Sequence, residues 1–262
     1  VAEINKVRTL VAGVAWSKEV RVVEQVGNLG LATSVIEGVS KVLDEHGKVI
    51  VLEDDIITGK GFLTFMNEAL NLYEDKKTVF GISGYSYPST GNIDQPTYFL
   101  PISSSWSYAT WANRWDKVNF DSIQLKNQLD HRKLKDALNF GNYPYYEMLE
   151  NQINSKNDSW AIRFYVSMFL ENGYFLYPNK SLVKNIGFDN SGTHCKDDNF
   201  FSIVDYNTKK IPVEEIEVRL DKRLVNLVKE RFENKQNKKS NSNSPKKILN
   251  TFKSSIKRFL KL

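Results

Sequence analysis

The sequence predicts an α/β protein with a mostly parallel sheet flanked by helices. Three observations carry that prediction. Val49-Ile50-Val51-Leu52 is a continuous apolar run, the pattern of a strand covered on both faces, and it turns abruptly acidic at Glu53-Asp54-Asp55. Apolar residues at helical spacing stand on either side of it: Val35, Ile36, Val39, Val42 and Leu43 before, Phe62, Phe65, Met66, Ala69 and Leu70 after. Short runs at Val20–Val26 and Val79–Ser83 complete a strand-helix-strand-helix-strand alternation, which favours parallel pairing with helices on both faces.

Taken in order, Val20–Val26 reads as a strand and Asn28-Leu29-Gly30 as the turn after it. Thr33 or Ser34 is the expected cap of the next helix, and Gly47 its stop. The second helix is expected over Gly61–Tyr73. Beyond Pro101 the segment Ser105–Trp115 is rich in aromatics. Helices are expected near Leu125–Leu138, Tyr145–Ile153 and Ser159–Asn172, and strands at Tyr174–Tyr177 and Leu182–Ile186. No internal repeat is visible. The predicted organisation is one domain over 1–232, a flexible Lys/Asn/Ser/Gln linker over 233–245, and a basic amphipathic helix over 246–262.

The chain has 262 residues, 41% hydrophobic and 12% aromatic, enough for one substantial core. Its net charge of +5 is uneven. From Glu233 to Leu262 eight Lys and one Arg stand against one Glu, a net +8, so the preceding residues carry about −3. The basic balance therefore belongs to the tail, and no nucleic-acid partner is expected for the main domain. No run approaches the ~18 apolar residues of a spanning helix. Cys195 is the single cysteine, so no internal disulfide forms, in keeping with a reducing compartment.

Glu53, Asp54 and Asp55 sit where a buried strand should end, the place where open α/β sheets bind ligands. Three adjacent carboxylates repel one another, and a divalent cation, Mg²⁺ or Mn²⁺, is a natural compensation. Such an ion would hold a diphosphate and neutralise charge as it leaves. A solvated acidic turn is the competing reading; the strand context favours the functional one.

Four segments carry a resemblance. Val49–Asp55 followed by Gly61-Phe62-Leu63 resembles the metal-binding segment of the N-acetylglucosaminyltransferase I family and of bacterial glycosyltransferases of the broad family 2 group. Asn157-Asp158-Ser159-Trp160-Ala161-Ile162-Arg163 resembles the family's Asp-Asp-Trp-Met-Arg segment, with Asn157 where the family has a second Asp. Gly187–Cys195 resembles its glycine-rich loop that closes on the donor. Ser103-Ser104-Ser105-Trp106-Ser107-Tyr108-Ala109-Thr110-Trp111 resembles a Ser-Ser-Trp-Gly-Trp-Ala-Thr-Trp block, with Ser107-Tyr108 in place of Gly-Trp. Asn28-Leu29-Gly30-Leu31-Ala32 is similar to the segment beside the nucleotide, although alone it is a glycine turn leading into a helix.

The resemblance implies a GT-A (Rossmann-like) fold and an inverting, metal-dependent transfer of a sugar from a nucleoside-diphosphate donor, a UDP-sugar, to a glycan or lipid-linked acceptor. It implies Asp55 as metal ligand with His194 in the same shell. Asn28, Gly30, Glu53, Asp54, Arg163, Ser191 and Thr193 fall on the nucleotide side, and Asp158 is the catalytic base. Trp106 and Tyr108 are acceptor-side candidates by the affinity of aromatic rings for sugar faces. Against these stand plainer readings: Asp158 as the N-cap of the apolar helix it precedes, His194 as a structural hydrogen-bonding residue, and the aromatics as core, which is the expectation for Trp111 and Trp115. Cys195 is expected to be inert.

Only about 27 residues precede Asn28, so the first strand-helix portion of such a domain, with its base-binding residues, is expected to be missing. In the tail, Ile248, Leu249, Phe252, Ile256, Phe259 and Leu260 recur at helical spacing among Lys and Arg, a pattern suited to an anionic membrane surface. The expected location is cytoplasmic, peripheral on the inner face of the cell membrane. A nucleotidyltransferase and a non-catalytic sugar-binding or scaffold module tethered to the membrane are the alternatives.

Overall fold

A computed structural model describes residues 2–13, 17–87, 93–187 and 209–242. Helix α1 (Ala2–Ala12) comes first, then α2 (Leu31–His46). After it come β1 (Lys48–Val51), β2 (Ile56–Thr58), α3 (Phe62–Leu72), β3 (Val79–Ser83), β4 (Thr97–Leu100) and β5 (Tyr108–Trp111). Short α4 (Ala112–Trp115), α5 (Ser122–His131), α6 (Lys135–Leu138), α7 (Tyr145–Ile153) and α8 (Trp160–Leu170) follow. The chain continues through β6 (Tyr174–Pro178), β7 (Val183–Asn185) and α9 (Lys222–Ser242).

The architecture is α/β: a five-stranded mixed sheet flanked by helices, in the order β1-β5-β3-β6-β4, with β2 and β7 forming a separate antiparallel pair. The expectation of a mostly parallel sheet is corrected. Among the described strands of this sheet only β3 and β6 run parallel; β1–β5, β3–β5 and β4–β6 are antiparallel. The alternation read from the sequence stops at Ser83; beyond it β5 inserts between β1 and β3 and β4 joins β6, each antiparallel to its neighbours. Their fully buried side chains gave an aromatic-rich run rather than a strand alternation.

Val20–Val26 forms no strand. Val20, Val22 and Val23 are exposed, and the segment lies along α2, tied there by the Arg21–Glu45 ion pair at 2.8 Å. Among the described strands β1 pairs with β5 alone, its four residues are half-buried and Leu52 is exposed. The expected cover on both faces is absent there. α2 begins at Leu31, ahead of Thr33 and Ser34, and ends as expected at Gly47, whose left-handed backbone (φ 73°) lets its N–H reach Leu43 O at 2.7 Å.

α3 presents the expected stripe, with Phe62, Phe65, Met66, Ala69 and Leu70 all buried. The stretch Leu125–Leu138 divides into α5 and α6 at Lys133, whose φ is 54°. Asp121 caps α5, accepting from the N–H groups of Ile123 and Gln124. Tyr145–Ile153 is α7 as expected, and α8 occupies the Ser159–Asn172 prediction.

The linker expected from residue 233 is also corrected, since α9 continues to Ser242. Buried Leu224, Val225, Val228 and Phe232 anchor its first half. Once such a helix is nucleated, Lys, Asn and Gln extend it at little cost, and no proline interrupts before Pro245. The basic helix expected over 246–262 lies outside the described residues. No described helix is long and apolar enough to cross a membrane.

Candidate functional site

The chain leaves β1 through Leu52 and turns at Glu53, whose carbonyl accepts the Ile56 N–H at 3.3 Å. Asp54 is exposed; Glu53 and Asp55 are half-buried. Burial, followed by the charges of Asp55 and Asp54, pushes the Glu53 carboxyl up to about 7. Asp55 is fixed from across the β2–β7 pair. Asn185 Nδ2 donates to Asp55 Oδ2 at 2.9 Å, and the Ile186 N–H donates to Asp55 O at 2.9 Å. Asn185 Oδ1 in turn accepts the Gly187 N–H at 2.7 Å. A Cβ on Gly187 would fall 2.5 Å from Asp55 Oδ2, so this approach needs glycine. The second oxygen, Asp55 Oδ1, is buried with no hydrogen-bond partner.

Opposite β1, Tyr108 pairs with Val51. Its ring is buried and stacks on Trp160 at 5.1 Å, so the acceptor-side expectation for Tyr108 is corrected: it is core, drawn in by Trp160 and Phe164. Its hydroxyl is nonetheless unpartnered, and burial, with the Glu53 charge, raises its pKa well above the usual phenol range. Ser107, standing in place of the glycine of the resembling block, keeps a glycine-like backbone at φ 58°. Its hydroxyl is likewise buried without a partner. Trp106 is half-buried and lines a cavity together with Tyr85, Tyr143, Tyr145 and Tyr165.

Asp158 is not the cap of its own helix. Ser159 takes that place, its Oγ accepting the Ile162 N–H. Asp158 reaches instead to the start of α2, where its Oδ2 accepts the Ala32 N–H at 3.1 Å. Gly30 makes room for it: φ is 79°, and a Cβ there would lie 2.8 Å from Asp158 Oδ2. Asn28 Oδ1 accepts the Gly30 N–H at 2.8 Å and sets this turn. The Asn28–Ala32 and Asp158 segments, far apart in sequence, therefore meet. Asn157 points inward, donating to Met148 O at 3.2 Å. Arg163 donates through Nε to Ser159 O and through Nη1 to Phe120 O, so its position is fixed by backbone carbonyls, within charge range of Asp158.

Tyr108 links the two regions, its ring packing on Trp160 beside Asp158 while its hydroxyl feels the Glu53 charge. Ser191, Thr193, His194 and Cys195 lie outside the described residues. Among the described residues no group of three or more His, Cys, Asp or Glu converges as a metal cage. What remains is the buried, unpartnered Asp55 Oδ1, which suits a cation held by one carboxylate and completed by phosphate and water, the habit of Mg²⁺. Sequence reasoning missed Asn185, the residue that orients Asp55, because a single Asn in a short strand carries no spacing signal. The chain matches no protein-family model and no curated protein.

Proposed function

We propose that the chain is a GT-A-like, inverting glycosyltransferase domain that moves a sugar from a nucleoside-diphosphate donor, a UDP-sugar by resemblance, to a glycan or lipid-linked acceptor. The observation that carries this reading is the convergence of the Asn28–Ala32 turn with Asp158, joined through Trp160 and Tyr108 to Glu53 and Asp55.

The chemistry asked of the residues is limited. Asp158 holds one carboxylate oxygen against Ala32 N–H, which leaves Oδ1 to receive the proton of an acceptor hydroxyl. That hydroxyl oxygen attacks the anomeric carbon as the bond to the donor phosphate breaks, and the nucleoside diphosphate departs with the electron pair. Glu53 and Asp54 face the nucleotide side. Mn²⁺ or Mg²⁺, held by Asp55, would neutralise the leaving diphosphate. His194, Ser191 and Thr193 complete the donor side by resemblance alone. The cationic 246–262 segment would bring the domain to an anionic membrane surface where a lipid-linked acceptor resides.

Calorimetric titration with UDP, with and without Mn²⁺, tests the reading. Metal-dependent binding that Asp55→Ala abolishes is the expected result. Nucleotide binding that ignores both the metal and Asp55 would overturn it, as would full transfer activity in Asp158→Asn.

A further inference from the structure

The connection between α7 and α8 is wound tightly. Ser155 takes a left-handed backbone (φ 55°), its N–H donates to Gln152 O at 3.2 Å, and the Lys156 N–H donates to Asn151 O at 2.8 Å. This is the pairing of a Schellman close, which satisfies two end carbonyls of α7 and turns the chain towards α8. Asn157 then reaches back, donating through Nδ2 to Met148 O at 3.2 Å. Asn157 and Ser159 are half-buried, and Asp158 between them is exposed.

α8 opens with half of a capping box. Ser159 Oγ accepts the Ile162 N–H at 3.3 Å. The reciprocal acceptor for the Ser159 N–H is ordinarily a Glu or Gln at the position of Ile162, and here that position is a buried Ile. Gln152, in the last turn of α7, supplies the acceptor instead: the Ser159 N–H donates to Gln152 Oε1 at 2.6 Å. The Ser159 N–H lies in the same peptide plane as the Asp158 carbonyl. Gln152 therefore fixes the plane on one side of the Asp158 Cα, and the Asn157–Met148 bond holds the residue on the other side.

Asp158 needs such support because its carboxylate is tethered at an exposed position, through Oδ2 to the Ala32 N–H at 3.1 Å. A hydrogen bond there competes with water and with the rotamer freedom of the side chain. It holds best when the backbone beneath it is already fixed at the right distance from α2. We propose that Gln152 is a positioning residue for Asp158: by accepting the Ser159 N–H it keeps the Asp158 backbone where the carboxylate meets the start of α2. A plainer role, closing the N-terminus of α8 and nothing more, predicts different behaviour at Ala32. The consequence for catalysis rests on the transfer reading, in which Asp158 is the base; the positioning itself does not.

The test is amide NMR with hydrogen exchange on the full chain. Gln152→Ala keeps a good helix former in α7 and removes the acceptor; Gln152→Met removes the acceptor and keeps the length; Gln152→Glu keeps an acceptor oxygen and is the rescue. In both acceptor-free variants the Ala32 amide should exchange about tenfold faster, while Val166 and Met168 in the middle of α8 keep their protection. Gln152→Glu should bring Ala32 back to within about twofold of the native rate. Ala32 unmoved, equal acceleration at Ala32 and along α8, or a Gln152→Glu as impaired as Gln152→Ala overturns the proposal. UDP binding with Mn²⁺, read by calorimetry, should be the same in Gln152→Ala as in the native chain. The Ala32 effect without UDP binding to the native chain would sink the transfer reading and leave the positioning standing; UDP binding without the Ala32 effect sinks the positioning alone.

Discussion

The Asp158 carboxylate accepts the Ala32 backbone N–H at 3.1 Å, across 126 residues of chain, and so caps a helix to which it does not belong. A carboxylate at a helix N-terminus satisfies an otherwise orphaned donor and meets the positive end of the helix dipole. The contact joins two segments that have no reason to be neighbours in sequence, and it engages Oδ2 of Asp158.

Gly30 is the residue that permits this contact. Gly30→Ala must adopt φ 79° and bring a Cβ to 2.8 Å from Asp158 Oδ2, so Asp158 moves. A loss of roughly 1–2 kcal/mol in urea unfolding is expected. Asp158→Asn should lose less than half as much, because the amide oxygen still accepts from Ala32. Equal losses in the two variants would refute the steric account.

Glu53 predicts a pH dependence. Burial raises its folded pKa to about 7 from an ordinary 4.5, so the folded state holds this proton more tightly than the unfolded chain. The associated stability is complete below about pH 4.5 and is lost as pH rises through about 7. The upper bound on that loss is roughly 3 kcal/mol. Denaturation curves in chelator between pH 5 and 8 should show the decline, and Glu53→Gln should flatten it. A Glu53→Gln profile parallel to the native one would contradict the assignment.

Asn185 should act as a positioning residue. It is buried and holds Asp55 Oδ2 at 2.9 Å while accepting the Gly187 N–H at 2.7 Å. Asn185→Ala leaves both groups without their partner, a cost of about 1–3 kcal/mol. Any Mn²⁺ affinity attributable to Asp55 should fall by about tenfold or more. Calorimetry with Mn²⁺ and UDP reads the second effect apart from the first, and unchanged affinity in a folded variant would remove Asn185 from the site.

Ser107 holds a left-handed backbone with a buried, unpartnered hydroxyl. Ser107→Gly removes both costs at once and should stabilise the protein by about 1 kcal/mol, despite the added freedom of the unfolded chain. A destabilised Ser107→Gly in thermal melts would show that the hydroxyl has a role in the ligand-free fold.

The sequence by itself determined the elements whose burial follows a simple period. The α3 stripe and α7 fall where the spacing places them, because one face of each packs on the core, while α8, β3 and β6 fall on continuous apolar runs. It also marked Glu53–Asp55 as a charge break at a strand end. Strand direction was not legible. β4 and β5 are buried on both faces, so no alternation distinguishes them, and their antiparallel pairing depends on partners elsewhere in the chain. Tyr108 and Trp106 look alike as neighbouring aromatics, yet one packs under Trp160 and the other lines a cavity, with the left-handed backbone of Ser107 between them. The role of Asp158 at α2 and the grip of Asn185 on Asp55 belong to tertiary structure alone, since a hydrogen bond across 126 or 130 residues leaves no mark in local spacing.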